Sequence, residues 1–139
     1  MSNSDKNSVI TIRLTAEEVL AITKEYYEKY EDFKGTIDLN LYSKGCNDGW
    51  GFTDYYGRVD FIFKEKIKIG SISVNKEFKI EHGKIPLKRI FQPLLEEADL
   101  ELTGSYYYDM DVTNYGSNVK FNGLVLYAKN KTKEKVLKK

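Results

Sequence analysis

The amino-acid sequence predicts one soluble α+β domain, an antiparallel sheet of about six strands with two helices packed on one face. Three observations lead to this fold class. The length of 139 residues fits a single domain, and 41% hydrophobic with 31% charged residues is a globular composition. Several segments alternate apolar and polar residues, whereas two longer ones repeat at helical spacing. No apolar run approaches the ~20 residues of a membrane span.

The predicted element order is β-α-β-β-β-α-β-β. We expect the domain to cover residues 8–128, between a disordered N-terminus at 1–7 and a basic, frayed tail at 129–139. The tail holds six lysines and one glutamate, which gives it a net charge of +5.

The first strand and the first helix have the clearest signals. Apolar and polar residues alternate over 10–14, as in a strand with one buried face. Thr15 and Glu18 match a capping box. An apolar and aromatic stripe then predicts a helix to about Asp32, and Gly35 is expected to stop it. The stripe consists of Val19, Leu20, Thr23, Tyr26, Tyr27 and Tyr30.

The middle of the chain predicts three strands and a long loop. Alternation at 37–41 indicates the second strand, and residues 44–57, which include four glycines, are predicted to form the loop. Alternation resumes over 59–69. A hairpin tip is expected between Ile67 and Val74, and another strand follows it.

A second helix is predicted after His82 and Gly83. Pro86 suits its first position, and Pro93 is expected to kink it or to divide it into two short helices. Its apolar stripe consists of Leu87, Ile90, Phe91, Leu94, Leu95 and Ala98.

Two strands complete the predicted domain. The first runs from Leu100 to Val112, and the turn signal at 114–117 separates it from the second. Gly123 interrupts the alternation of the last strand, which indicates a β-bulge. The order of elements also suggests two β-α-β-β halves. This is either a duplication or the general pattern of a small α+β domain.

Composition indicates a compartment and an origin. Cys46 is the only cysteine, so no internal disulfide can form, and we expect a reducing, cytoplasmic location. The polar start lacks the apolar segment of a signal peptide. Lysine, isoleucine, asparagine and tyrosine are abundant, and their AT-rich codons suggest a bacterium of low GC content or one of its phages.

No strong catalytic or cofactor motif occurs, so we predict neither an enzyme nor a cofactor. His82 is a weak candidate for a general base, and the thiol of Cys46 would need a partner such as His82 to become nucleophilic. Asp109 and Asp111 could face a hard cation, but solvated aspartates on a strand explain the same spacing. We therefore predict no metal site.

Aromatic residues are the most informative feature for function. The chain has eleven tyrosines, several of them adjacent. The three successive tyrosines at 106–108 cannot all point to the core-facing side of a strand, because successive side chains point to opposite faces. Tyrosine and tryptophan are enriched in binding hot spots. The rings of the glycine-rich loop either fold back over the sheet as a minor core or present aromatic residues to a partner. We predict a contact surface on the Asp48–Tyr56 loop and the Tyr106–Tyr115 hairpin. Its residues are Asp48, Trp50, Phe52, Asp54, Tyr55, Tyr56, Tyr107, Asp109, Asp111 and Tyr115.

A protein is the predicted partner of this surface, which suggests a small inhibitor, immunity or accessory protein. A small ligand or nucleotide held by the amides beside Gly45, Gly49 and Gly51 is the alternative. Nucleic acid is disfavoured because aspartates accompany the aromatic residues, and its remaining route is the basic tail. No membrane contact is expected, and a homodimer through a strand edge stays open.

Overall fold

A computed structural model describes residues 8–131, so the predicted N-terminal segment 1–7 and residues 132–139 of the predicted tail lie outside the described residues. The chain is α+β and has the predicted order of elements. The elements are β1 (Ile10–Thr15), α1 (Ala16–Tyr30), β2 (Gly35–Asn47), β3 (Thr53–Ile69), β4 (Ile72–Ile80), α2 (Leu87–Glu96), β5 (Leu100–Thr113) and β6 (Asn118–Asn130).

The six strands form two three-stranded antiparallel sheets, where we expected one sheet. The strand orders are β1-β6-β5 and β2-β3-β4. Each helix carries the chain from one sheet to the other, α1 between β1 and β2 and α2 between β4 and β5. Periodicity reports which residues are buried and not which strands pair, so this division could not be predicted.

One core joins the sheets and the helices. The first helix contacts β6 and β2, the second contacts β5, and the helices contact each other. The strands β2 and β3 also contact β5 or β6 of the other sheet. The buried apolar residues of this core are Val19, Tyr27, Phe33, Val59, Phe61, Phe63, Ile85, Ile90, Phe91, Leu95, Leu102, Phe121, Leu124, Leu126 and Ala128.

The start of α1 confirms the predicted capping box. The Glu18 backbone N–H donates to the Thr15 hydroxyl at 3.1 Å, and the Thr15 N–H donates to the Glu18 carboxylate at 2.8 Å. The helix ends at Tyr30 and the left-handed residue after it is Asp32, with φ 55°. Gly35, which we expected to stop the helix, is instead the first residue of β2.

A close approach between strands explains Gly35. A Cβ there would lie 1.9 Å from the carbonyl oxygen of Lys64 on the paired strand. The glycine is therefore needed for strand pairing.

The second helix runs through Pro93 as one segment, and Pro86 occupies the position before its first residue. The expected division into two helices is therefore not seen. The side chain of Gln92 ties the helix to β5, because its Oε1 accepts from the Leu102 N–H at 3.0 Å and its Nε2 donates to the Leu100 carbonyl at 3.1 Å.

The predicted long loop at 44–57 is mostly strand. Residues from Lys44 to Asn47 continue β2 and pair with Thr53–Tyr56 of β3, so the tip is reduced to 48–52. Both faces of this part are exposed, and an exposed ladder needs no apolar alternation. The β3–β4 hairpin turns at Gly70, within the expected interval, with φ +65°.

The longest strand, β3, is paired unequally along its two edges. It pairs with β2 from Thr53 to Glu65, but with β4 only from Phe61 to Ile69. The edge of β3 from 53 to 60 is therefore not paired with a strand. On the other sheet, β5 is an edge strand.

The predicted bulge at Gly123 is confirmed. Asp109 faces Gly123 and Met110 faces Phe121, so Asn122 is the extra residue of β6. Gly123 has φ +144°, and a Cβ there would lie 1.8 Å from the Leu14 carbonyl oxygen.

The last strand extends beyond the predicted domain end at 128. Asn130 still pairs with Leu100, and the Lys131 N–H donates to the Asp99 carbonyl at 3.0 Å. Neither helix within residues 8–131 has the length and apolar composition of a membrane-spanning segment.

Candidate functional site

The ten predicted contact residues lie on two neighbouring hairpins. Nine are exposed, and Asp109 is half-buried. The β2–β3 hairpin holds Asp48, Trp50, Phe52, Asp54, Tyr55 and Tyr56, and the β5–β6 hairpin holds Tyr107, Asp109, Asp111 and Tyr115.

The two hairpins contact each other below their tips. The Ser43 hydroxyl donates to the Gly116 carbonyl at 2.7 Å. A Cβ on Gly116 would lie 2.6 Å from the Tyr55 ring, and a Cβ on Gly57 would lie 3.0 Å from Val112. The two glycines therefore permit close packing, and Tyr55 serves as part of the contact between hairpins.

Side-chain caps fix the tip of the β2–β3 hairpin. The Asp48 carboxylate accepts from the backbone N–H groups of Trp50 at 2.7 Å and Phe52 at 3.3 Å. The Asn47 side chain accepts from the Gly49 N–H at 2.8 Å. Trp50 is 85% exposed and Phe52 is 69% exposed. The role of Asp48 is thus to shape a tip that displays two large apolar rings.

The β5–β6 tip displays a third ring on an uncommon backbone. Asn114, Tyr115 and Gly116 all have left-handed φ values, of 56°, 55° and 86°. Ser117 closes the turn, with its N–H and its hydroxyl donating to the Asn114 carbonyl at 3.1 and 2.8 Å. Tyr115 is 88% exposed. A bulky residue in this conformation costs of order 1–3 kcal/mol, and the exposed ring gains no burial that would offset the cost.

The three successive tyrosines divide between two faces, as their alternation predicted. Tyr106 and Tyr108 pack against the core, while Tyr107 is half exposed, with its ring 6.4 Å from that of Tyr127. The Gly83 N–H donates to the Tyr108 hydroxyl at 2.9 Å. Burial raises the pKa of Tyr108 to about 12, so the phenol stays protonated.

The predicted aspartates do not form one cluster. Asp48 caps the first tip, and Asp54 pairs across that hairpin with Cys46. Asp111 lies on β5 together with Asp109, and its carboxylate accepts from the Asn122 side-chain amide at 3.0 Å. Within residues 8–131, no three His, Cys, Asp or Glu side chains are placed together to hold a metal ion.

A groove of about 730 Å³ lies between the open edge of β3 and the edge strand β5. Three of the predicted residues, Tyr55, Tyr56 and Tyr107, line it. The other lining residues are Gly57, Arg58, His82, Tyr106, Tyr108, Met110 and Val112.

His82 stands at the end of the groove where β4 stops. Its Nδ1 accepts from the Val59 N–H at 3.1 Å, and its ring lies over that of Tyr108 at 4.0 Å. Burial and then the positive charge of Arg58 lower the pKa of His82, against a smaller opposing effect of Asp60. The imidazole is therefore neutral, with its proton on Nε2.

The same contacts argue against His82 as a general base. Asp60 is 4% exposed and accepts from the Tyr42 hydroxyl at 3.1 Å and from the His82 backbone N–H at 3.0 Å. Its carboxylate thus bonds the backbone of His82, and Nδ1 has no proton to donate to it. The Asp–His arrangement of hydrolytic sites is not formed.

Cys46 and His82 are also separated. Cys46 pairs with Asp54, five residues along β3 from the Val59 amide that binds His82. At ~3.3 Å per residue, this corresponds to about 16 Å along the strand. The thiol–imidazole pair considered from the sequence is not brought together.

Arg58 was not among the site residues predicted from the sequence, and His82 was only a weak candidate. Both reach the groove only because β4 ends early and β5 lies across the gap. A possible signal was Asp60, a carboxylate between the apolar residues Val59 and Phe61. A buried charge within a strand must find partners, and here its partners include the chain segment of His82.

Comparison with protein-family models, with curated proteins and with solved structures finds no match.

Proposed function

We propose that the chain is a small non-enzymatic binding protein of bacterial or phage origin that recognises a protein partner through its two adjacent hairpin tips. The carrying observation is the display of Trp50, Phe52 and Tyr115. They are 85%, 69% and 88% exposed, on turns held by hydrogen bonds.

Preorganisation makes these rings suitable anchors. Tryptophan and tyrosine dominate binding hot spots, where truncation to alanine costs at least about 2 kcal/mol. Asp48 holds the backbone on both sides of Trp50, so little conformational freedom is lost when a partner covers the ring. An inhibitor, immunity or accessory protein would use such a rigid surface.

Charged side chains flank the aromatic tips. Asp54 and Asp111 are exposed, and Asp109 is half-buried beside them on β5. A rim of carboxylates favours a partner with basic patches, because complementary charges speed association and fix orientation. The proposed partner therefore presents an apolar pocket with lysine or arginine around it.

Affinity capture from a lysate of the source organism tests the proposal. The double variant Trp50→Ala/Phe52→Ala should lose the proteins that the unaltered chain retains, as quantified by mass spectrometry. The matched control is Ile69→Ala/Ile72→Ala, which removes two residues that are 60% and 63% exposed at the tip of the other β3 hairpin.

Equal capture by the unaltered chain, the Trp50→Ala/Phe52→Ala variant and the control variant would contradict the proposal. Loss of folding in the Trp50→Ala/Phe52→Ala variant, measured by circular dichroism, would also contradict it, since the rings would then be structural.

A small ligand at the glycine-rich tip is the weaker hypothesis. The amides of Gly49, Trp50 and Phe52 already donate to Asn47 and Asp48. An anion there would have to displace a carboxylate. Thermal shift with a nucleotide panel tests this, because a ligand at 100 times its Kd adds about 2.7 kcal/mol.

Other expectations also stand as proposals. A cytoplasmic location fits the exposed free thiol of Cys46, which a reducing compartment protects. Nucleic-acid binding would rest on the basic tail, of which 132–139 lie outside the described residues. A homodimer would use an edge strand such as β4.

We also propose that the chain is a duplicated β-α-β-β unit. The topology supports this, because β1 of the first half pairs with β6 of the second, and β4 of the second pairs with β3 of the first. Each half thus lends its first strand to the other. Superposition of the halves should relate them by one twofold rotation, and different helix placements would contradict the duplication.

A further inference from the structure

The open edge of β3 offers backbone groups to a further strand. Asp48 and Phe52 form a backbone hydrogen bond at the hairpin tip, so the residues of β3 that bond β2 alternate from there. By this alternation, Tyr55 and Gly57 direct their N–H and C=O groups away from β2. The Val59 N–H has the same direction and is taken by His82.

These groups lack partners within the described chain. Among the hydrogen bonds of residues 8–131, none uses the N–H or C=O of Tyr55 or Gly57 on that edge. Both residues line the groove. Unpaired groups along a strand are the basis of recognition by strand addition, in which an extended peptide continues the sheet.

The groove walls suit the side chains of such a peptide. Met110 and Val112 lie within 3.1 Å of a Cβ placed on Gly57, so they form an apolar floor close to the β3 backbone. Tyr56 and Tyr107 stand on the rim, 54% and 45% exposed. Apolar or aromatic residues at alternate positions of the peptide would contact these rings.

Charge defines the remaining feature of the occupant. Arg58 is the only Lys, Arg, Asp or Glu among the groove-lining residues, and it forms no ion pair within residues 8–131. His82 lines the same groove, and because its Nδ1 accepts from the Val59 N–H, its neutral ring carries the proton on Nε2. A guanidinium and an N–H donor together favour a carboxylate.

We propose that the groove between β3 and β5 binds an extended, carboxylate-bearing segment of a partner protein, which adds a strand to the edge at Tyr55–Gly57 and pairs with Arg58. The chain's own tail is disfavoured, because its six lysines would meet Arg58. The groove is a separate surface from the hairpin tips, so this inference does not rest on the proposal above.

Selection from a library of random linear 12-residue peptides displayed on phage tests the inference on the full chain. We expect enriched peptides with alternating apolar residues and an Asp or Glu at a fixed position. Arg58→Gln should weaken a selected synthetic peptide about tenfold, the loss of one charge-assisted hydrogen bond. The matched control Arg13→Gln changes an exposed arginine on β1 and should leave the affinity unchanged.

Backbone pairing has its own readout. N-methylation of alternate residues in the selected peptide should abolish binding, and amide hydrogen exchange at Tyr55 and Gly57 should slow in the complex. Arg58→Lys, which keeps the charge, covers the case in which Arg58→Gln fails to fold. The inference is overturned if no acidic peptides are enriched, or if binding is indifferent to Arg58 or to N-methylation.

Discussion

The two ends of the β2-β3-β4 sheet use aromatic residues in opposite ways. At the end covered by α1, the Phe63 ring lies 4.8 Å from Tyr27, 5.4 Å from Phe33 and 4.3 Å from Phe78. At the other end, Trp50 and Phe52 have no ring contact within the described residues. Aromatic content alone therefore does not distinguish core from display. The elements that pack nearby do.

The largest expected contrast compares one ring from each end. Phe63→Ala should lower the free energy of unfolding by about 3–5 kcal/mol, because a fully buried ring leaves a cavity. Trp50→Ala should change it by less than about 0.5 kcal/mol, as for an exposed residue. Urea denaturation measures both values. A loss above about 1 kcal/mol for Trp50→Ala, twice the limit expected for an exposed residue, would show that this ring is also structural.

Two glycine substitutions distinguish the energy of the contact between the hairpins from the energy of backbone strain. Gly116→Ala places a methyl group 2.6 Å from the Tyr55 ring at φ +86°, whereas Gly49→Ala has φ +85° and no atom within 4 Å. We expect about 2–4 kcal/mol of destabilisation for the first and about 1–2 kcal/mol for the second. Equal losses in chemical denaturation would show that the hairpins do not depend on their contact.

A substitution at an exposed hairpin tip should also increase the stability of the chain. Tyr115→Gly relieves the left-handed backbone and should stabilise the chain by about 1 kcal/mol, while it removes a proposed anchor. Thermal unfolding and partner capture measure the two effects. A gain in stability with unchanged capture would exclude Tyr115 from the contact surface.

The smallest effect is a pH dependence at the groove. The pKa of His82 is lowered in the folded chain, so the unfolded chain binds the proton first as the pH falls. Stability from this group is full above about pH 6.5 and is lost on acidification below it. Urea midpoints between pH 7.5 and 5.5 should show the decline. His82→Gln removes the only histidine and should flatten it.

The sequence predicted the locally determined parts of the fold. The capping box of Thr15 and Glu18 and the apolar stripe of α1 act within a few residues, so both could be read directly. The extension of the β2–β3 hairpin was missed because its exposed ladder has no alternation. The role of Gly35 was misjudged because it depends on the carbonyl of Lys64, 29 residues later in the chain.

The candidate site also has a part that could be read from the sequence and a part that could not. The surplus of aromatic residues in the turn-rich segments could be read from the sequence, but whether Trp50 and Tyr115 are buried or exposed could not, because that depends on what packs against the hairpins. The groove could not be predicted, because Arg58 and Tyr107 come together only through the tertiary arrangement of the two sheets.

The pairing of β1 with β6 has a consequence for the order of folding. Ile10 lies opposite Ala128, so this ladder closes a loop of more than a hundred residues. The β2-β3-β4 meander needs only hairpin contacts and can form during synthesis, before β6 has left the ribosome. β1 can pair only after β6 has been synthesised, and until then its apolar face is exposed to chaperones and to other chains.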